Sequence, residues 1–208
     1  MLTAIEMGMK NHEFVPVPLI ESLAALKRGN CFKFVTLLLK HKLIFHTGKN
    51  YSGYALTYQG YDYLALKTFM KRGHVKRILC QIGVGKESDI YICDSGDKLD
   101  EEGKSVYNGE PVVIKFARLG RTSFRTIKDN RDYLKGRTCG WLYMSRIASL
   151  KEYAFMTALH KRGFKTPIPY DGNRHAICMS LIKAFPMVNV KGLGNPEDVY
   201  HKLIEQII

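Results

Sequence analysis

Two glycines separated by one residue stand between two predicted strands and could bind a phosphate group. The segment consists of Gly83, Val84, Gly85, Lys86, Glu87 and Ser88. Glycine has no Cβ, so backbone N–H groups beside it can approach phosphate oxygens closely. A Walker A loop is excluded because Glu87, and not Ser or Thr, follows Lys86. A dinucleotide-binding turn is disfavoured because a strand is predicted next, and by itself the pattern is more typical of a hairpin turn.

A lysine and a glutamate farther along the chain could complete such a site. Lys115 comes near the end of a β-branched stretch, residues 110–116, that predicts a strand. Glu152 falls in a predicted helix, residues 141–163, on a stripe with Ala148, Phe155 and Leu159. A carboxylate on an apolar stripe is costly to desolvate unless it is paired, and Lys115 is the obvious partner. Two alternatives stay open, because Lys115 could lie at an exposed strand end and Glu152 could extend to water.

The order of glycine turn, strand lysine and helix glutamate is similar to that of protein kinases. This similarity implies that Lys115 binds the α and β phosphates of ATP and that Glu152 holds the lysine in place. Residues 179–182 follow where a kinase has its gatekeeper and hinge, which implies adenine contacts from the Ser180 carbonyl and the Ile182 N–H. The implied ATP-binding residues are Gly83, Val84, Gly85, Lys86, Glu87, Ser88, Lys115, Met179, Ser180 and Ile182.

The first third of the chain predicts a small helical domain with a hairpin. Helices are predicted at residues 2–10, from Pro18 to Gly29, and from Cys31 to about His41 after an Asn30 cap. Strands at residues 43–46 and 53–57 and a linking helix at residues 58–71 follow. This order is typical of a winged helix-turn-helix, whose third helix faces nucleic acid. The side chains of Phe34, Val35, Leu38 and Leu39 on this helix are expected to point into the core.

Basic residues exceed acidic residues by 32 to 19, which gives a net charge of +13. Residues 115–165 hold 13 basic and 3 acidic side chains, and residues 1–75 hold 10 and 4. So concentrated an excess favours a polyanionic partner over simple solubility, through phosphate contacts rather than base reading. A protein-contact module is the alternative for the first third. The predicted nucleic-acid contacts are Lys33, Lys40, Lys42, Arg118, Arg121, Arg125, Lys128 and Arg131.

Composition argues against several other classes of protein. With 46% hydrophobic and 25% charged residues, the chain is typical of folded proteins rather than disordered ones. Its apolar runs are too short for a membrane span, so no membrane partner is predicted. The five cysteines form no C-x-x-C pair, which argues against a disulfide framework and a zinc site. No metal site is predicted.

Several longer motifs are shared with one known family. They are Gly83-Val-Gly-Lys-Glu-Ser-Asp-Ile-Tyr-Ile92, Arg118-Leu-Gly-Arg-Thr-Ser-Phe-Arg125, Trp141-Leu-Tyr143, Lys151-Glu-Tyr-Ala154 and Asn173-Arg-His-Ala176. Together they resemble the RIO atypical serine/threonine protein kinases. The segments Glu6-Met-Gly-Met-Lys-Asn-His12 and Gly60-Tyr-Asp-Tyr-Leu-Ala-Leu66 resemble the type-two branch, which carries a winged helix.

The resemblance implies an α+β fold in three parts. These are a winged helix-turn-helix with its linking helix (residues 1–72), a kinase-like N-lobe of an antiparallel sheet and one main helix (73–182), and the hinge with the start of a C-lobe (183–208). It also implies an ATP- and Mg²⁺-dependent protein kinase or ATPase in maturation of the small ribosomal subunit. The implied partners are ATP, the precursor subunit and its rRNA, with no protein substrate named. The implied location is the cytoplasm, with nuclear transit.

The sequence also departs from the family pattern. The family's catalytic loop, His-Gly-Asp-Phe-Asn-Glu-Phe-Asn, and its later metal-binding aspartate are absent from residues 1–208. We therefore expect these residues alone to bind nucleotide without transferring a phosphoryl group. Basic residues 118–137 match the family's flexible insertion, and acidic residues 94–110 form a longer insertion that is expected to be a mobile loop. A non-catalytic RNA-binding assembly module with a vestigial kinase half is the alternative function.

Overall fold

The computed structural model describes residues 1–25, 31–48, 51–119, 121, 140–185 and 187–207. By its internal contacts the chain divides into two compact units, Met1–Lys71 and Arg72–Ile208. The first unit is helical with a small hairpin, and the second is built on an antiparallel sheet. The predicted α+β class is therefore confirmed. Within the described residues, no helix is long and apolar enough to cross a membrane.

The described part of the first unit follows the predicted order of elements. It contains α1 (Leu2–Gly8), α2 (Val17–Ala24), α3 (Cys31–Lys40), β1 (Ile44–Thr47), β2 (Gly53–Leu56) and α4 (Tyr58–Lys71). β1 and β2 pair antiparallel, with Thr47 opposite Gly53. Ile5, Ile20 and Phe69 are fully buried and form its core. Three helices followed by a two-stranded hairpin are the arrangement of a winged helix-turn-helix.

Two details of the helices differ from the sequence prediction. The second helix was expected to reach Gly29, but α2 ends at Ala24 because Ala25 takes a left-handed conformation with φ 49° and ends the helix. Residues 26–30, with the predicted Asn30 cap, lie outside the described residues. The prediction that Phe34 faces inward is wrong, since it is 40% exposed while Val35 is buried.

Thr57 and Gly60 determine how α4 begins. The N–H of Gly60 donates to Oγ1 of Thr57 at 3.1 Å, and the Thr57 hydroxyl donates to the Lys42 carbonyl at 2.7 Å. A Cβ at Gly60 would lie only 2.0 Å from the carbonyl oxygen of Leu43. Glycine at this position is therefore required for the close approach of α4 to the chain just before β1.

The second unit contains a five-stranded antiparallel sheet with one long helix. Its described elements are β3 (Val75–Val84), β4 (Ser88–Ser95), β5 (Val112–Ala117), α5 (Trp141–Lys161), β6 (Pro169–Asn173), β7 (Ala176–Ser180), a 3₁₀ turn (Met187–Asn189) and α6 (Pro196–Ile207). The strand order is β3-β4-β5-β7-β6. This is the predicted antiparallel sheet with one main helix.

The register of the strands assigns side chains to the two faces of the sheet. Ile90, Lys115 and Ile177 stand opposite one another in β4, β5 and β7, so they share one face. Gly172 of β6 is opposite Ile177 and lies against the ring of Tyr153 from α5. A Cβ on Gly172 would lie 3.0 Å from this ring. We call the face covered by α5 the inner face.

Residues 96–110, between β4 and β5, are folded onto the start of β3, and we call them the strap. The N–H groups of Gly96 and Lys98 donate to the carbonyls of His74 and Gly73, each at 3.1 Å. Tyr107 is 2% exposed, and its hydroxyl is hydrogen-bonded to Nδ1 of His74. The loop that was expected to be mobile is thus anchored to the sheet by one buried aromatic side chain, although most of its residues are exposed.

Candidate nucleotide-binding site

The glycine segment forms a tight turn between β3 and β4. β3 continues through Val84, which pairs with Asp89 of β4. The N–H of Gly85 donates to the carbonyl of Ser88 at 2.7 Å. The two strands predicted on either side of the glycines are therefore present, and they extend up to the turn, since β3 ends at Val84 and β4 begins at Ser88.

The turn itself does not require either glycine. Gly83 and Gly85 both have backbone conformations that any L-residue adopts. A Cβ at Gly83 would lie 3.5 Å from the side chain of Ile90, and one at Gly85 would lie 3.4 Å from Oγ of Ser88, which are ordinary contacts. Because neither position carries a Cβ, a ligand can approach the backbone closely there.

Lys115 and Glu152 form the predicted ion pair. Nζ of Lys115 lies 2.5 Å from Oε1 of Glu152, and the two side chains are 27% and 38% exposed. β5 presents the lysine on the inner face, and α5 places the glutamate over the same face. An ammonium group has three donors, so this contact leaves donors of Lys115 for a second anion.

The surroundings of Glu152 differ from the sequence prediction. The sequence places it on an apolar stripe with Phe155, but Phe155 is 69% exposed. The buried residues of α5 are Met144, Ser145 and Ser149, so the side of the helix that packs is partly polar. Glu152 is consequently partly exposed rather than buried in a hydrophobic core.

The predicted hinge residues lie at the end of β7. Met179 is buried and pairs with Val113 of β5. Ser180 is bound twice to Ile168, since its N–H donates to the Ile168 carbonyl at 3.0 Å and its Oγ accepts from the Ile168 N–H at 2.9 Å. Ile182 lies just beyond the strand and is exposed. The Ser180 side chain is therefore used within the fold, and the predicted adenine contact requires only its backbone carbonyl.

A buried carboxylate lies next to the glycine turn. Oδ2 of Asp89 accepts from Nε of Arg118 and from Nη2 of Arg121, each at 2.7 Å, and its Oδ1 accepts from Nη1 of Arg121 at 2.8 Å. The hydrogen bond from Arg121, followed by the one from Arg118, lowers the pKa of the Asp89 carboxyl despite its burial. The group therefore carries a negative charge between two guanidinium groups.

This ion cluster changes the interpretation of two predicted nucleic-acid contacts. Arg118 is buried, because its guanidinium packs over the Phe116 ring and pairs with Asp89, so a direct contact with nucleic acid is not supported for it. Arg121 is partly exposed but holds the same carboxylate. Arg125, Lys128 and Arg131 lie outside the described residues.

Asp89 is the site residue that the sequence analysis missed. Arg118 and Arg121 contribute to the excess of positive charge, but a count of charges does not show which carboxylate pairs with them. The available signal was Asp89 directly before the apolar stretch Ile90–Ile92, since a carboxylate buried in a strand requires a partner. In the first unit Lys33, Lys40 and Lys42 are exposed, as predicted.

Two family models match the chain, the Rio2 N-terminal domain over residues 1–72 and the RIO domain over residues 89–208. This chain belongs to the RIO family. It is 51% identical to the serine/threonine-protein kinase rio2 of Dictyostelium discoideum, over 100% of this chain and 38% of that protein. It is 46% identical to the Schizosaccharomyces pombe rio2 kinase, over 100% of this chain and 58% of the relative. The RIO chain therefore spans well under two thirds of the length of these relatives.

Solved structures of RIO proteins share the fold. The Rio2 kinase from Chaetomium thermophilum has a TM-score of 0.78 and 47% identity, covering 99% of this chain and 57% of that chain. A crystal structure of the same kinase as an ADP/Mg²⁺-phosphoaspartate complex has a TM-score of 0.79 and 47% identity, covering 98% and 57%. The winged helix followed by a kinase-like lobe is thus shared with this family.

The described residues of the RIO chain do not fit a magnesium ion. No group of three or more His, Cys, Asp or Glu side chains among them could hold a metal. Asp89 is bound to two arginines, Asp94 to Arg77, and Asp171 to Arg72. These carboxylates are already paired, so no step of the chemistry is assigned to a metal held by them.

Proposed function

We propose that this chain is the nucleotide-binding part of an ATP-dependent serine/threonine protein kinase. The observation that carries the proposal is the Lys115–Glu152 ion pair, which is partly exposed on the inner face of a sheet whose first hairpin contains the glycine turn. A relative with the same fold was crystallised with ADP and Mg²⁺, which supports a nucleotide as the ligand.

Each residue has a distinct role in the proposed complex. Lys115 donates to the α and β phosphates, and Glu152 fixes the direction of its ammonium group. Backbone groups at Gly83 and Gly85 approach the phosphates through the space left by the missing side chains. Val84, Lys86, Glu87 and Ser88 complete the turn. The Ser180 carbonyl and the Ile182 N–H contact adenine beside Met179.

Phosphoryl transfer needs more than these residues. Magnesium, when bound, neutralises charge that develops on the β and γ phosphates, and a carboxylate orients the attacking hydroxyl. The described Asp89, Asp94 and Asp171 are paired with arginines and do not supply these groups. We therefore propose that residues 1–208 bind nucleotide, and that phosphoryl transfer belongs to the whole protein.

The proposed setting is maturation of the small ribosomal subunit, in the cytoplasm with nuclear transit. The support is electrostatic, because the net charge of +13 and the exposed Lys33, Lys40 and Lys42 of the winged helix suit the phosphates of rRNA. The proposed macromolecular partner is the precursor subunit, and no protein substrate is proposed.

Calorimetric titration of the 208-residue chain with ADP tests the nucleotide site. Saturable binding is expected, and Lys115→Met should weaken it by at least about tenfold, because one charge-assisted contact to phosphate is lost. Lys76→Met is the matched control, since Lys76 is an exposed lysine on β3 of the same sheet. Equal affinity for wild type and Lys115→Met would contradict the proposal, and no binding at all would favour the non-catalytic RNA-binding module.

A further inference from the structure

The segment after β5 is attached to the glycine turn by two hydrogen bonds and to Asp89 of β4 by ion pairs. The backbone N–H of Arg118 donates to the Glu87 carbonyl at 2.6 Å. Nη1 of Arg121 donates to the Gly85 carbonyl at 3.0 Å, and the same guanidinium forms two bonds with Asp89. A single planar group thus connects the turn to the strand that follows it.

The contact between Arg121 and Gly85 determines the orientation of one peptide group. In a trans peptide the C=O and the following N–H point in opposite directions. Because the carbonyl of Gly85 points to Arg121, the N–H of Lys86 points away from the guanidinium. Rotation of this peptide would break the bond between Arg121 and the Gly85 carbonyl, so this bond holds the direction of the Lys86 N–H.

Asp89 in turn fixes the guanidinium. It is buried and one residue beyond Ser88, and it binds Arg121 with both carboxylate oxygens. Arg118 holds the carboxylate from a second side, so Asp89 does not rotate freely. A bidentate arginine–carboxylate pair constrains direction as well as distance, which a lysine could not do.

We propose that Asp89 and Arg121 are positioning residues of the nucleotide site, which hold the Gly85–Lys86 peptide with its N–H available to a phosphate of the nucleotide. This inference rests on the proposed function, and it adds the residues that orient the turn. Neither side chain is assigned a direct contact with the ligand. The expected consequence is selective, since binding of the phosphates depends on the pair and binding of adenosine does not.

The test compares ADP with adenosine on the 208-residue chain. Arg121→Gln should weaken ADP binding by about tenfold, the equivalent of one lost hydrogen bond to phosphate, and leave adenosine affinity within about twofold. Arg121→Lys should not restore ADP affinity, because an ammonium cannot bind Asp89 and Gly85 in the same geometry. In Arg121→Gln the Asp89 carboxylate retains Arg118, so the buried charge stays paired and the fold is expected to persist.

Arg77→Gln is the matched control, since Arg77 pairs with Asp94 at the other end of the β3–β4 hairpin. It should change neither affinity. Unchanged ADP affinity in Arg121→Gln, wild-type ADP affinity in Arg121→Lys, or a parallel loss of adenosine and ADP affinity would overturn the inference while leaving the nucleotide site intact. Failure of the wild-type chain to bind ADP would instead overturn the proposed function, and the inference with it.

Discussion

Gly83 and Gly85 have no conformational reason to be glycine, so the space they leave is best explained by what approaches them. Their backbone conformations are open to any L-residue, and a Cβ would make only ordinary contacts. Gly60 is the opposite case, because a Cβ there would meet the Leu43 carbonyl at 2.0 Å. Glycine therefore serves the fold at one position and, in our account, a ligand at the other two.

Alanine substitutions separate these two uses. Gly85→Ala should change the free energy of unfolding by no more than about 0.5 kcal/mol, because the added methyl meets nothing closer than 3.4 Å. It should nevertheless weaken ADP binding several-fold, since the methyl occupies the space above the turn. Denaturant unfolding and ADP titration measure the two effects. Gly60→Ala is the control that should destabilise clearly, and a Gly85→Ala chain with unchanged ADP affinity would contradict this role.

At the same scale, the sequence predicted some contacts and missed others for a physical reason. The Lys115–Glu152 pair could be predicted because the glycine turn, the strand lysine and the helix glutamate follow the order found in protein kinases. The burial of Arg118 could not, because a charge count records the sign of a side chain and not its partner. Asp89 alone, in an apolar strand, indicated that some cation had to be buried with it.

At the scale of elements, α5 and the strap show what hydrophobic patterns predict and what they miss. The long periodic run of α5 predicted its existence, and the helix spans Trp141–Lys161. Which residues of α5 are buried was predicted less well, because small polar residues such as Ser145 and Ser149 are among them. The acidic composition of the strap led to the expectation of a mobile loop, but the buried ring of Tyr107 anchors the strap to the sheet.

The strap should therefore contribute to stability through Tyr107. Tyr107→Ala removes a ring that lies edge-on to Tyr170 with 4.8 Å between centroids, and it should lower the free energy of unfolding by about 3–5 kcal/mol. Leu99→Ala, an exposed position on the same strap, should change it by less than about 0.5 kcal/mol. Urea unfolding measures both, and a neutral Tyr107→Ala would restore the expectation of a mobile loop.

At the scale of the whole molecule, the chain joins a basic winged-helix unit to a kinase-like unit. The order of elements and the motifs were enough to predict both, because each unit has its own periodic pattern and core. The charge distribution does not by itself show which unit binds nucleic acid, since the excess of positive charge is spread over both halves of the chain. Part of the excess in residues 115–165 is used internally, where Arg118 and Arg121 bind Asp89.

Binding of structured RNA should depend on salt and on the exposed lysines of α3. Raising the salt from about 50 to about 200 mM should weaken binding at least roughly tenfold if several phosphates are contacted. Replacing both Lys33 and Lys40 by Glu should weaken it further, whereas Lys10→Glu, a control at an exposed lysine after α1, should have a smaller effect. Fluorescence anisotropy measures these affinities, and binding insensitive to salt would contradict phosphate contact.

The most direct measurement is a double-mutant cycle on ADP affinity with Lys115→Met and Glu152→Gln. Because the pair is half exposed, each single change should cost only about 0–1 kcal/mol of folding stability. Each should nevertheless weaken ADP binding, and the double variant should bind no more weakly than Lys115→Met alone, since Glu152 acts through the lysine. Additive losses, or single variants that bind ADP as the wild-type chain does, would contradict the assignment of this ion pair to a nucleotide site.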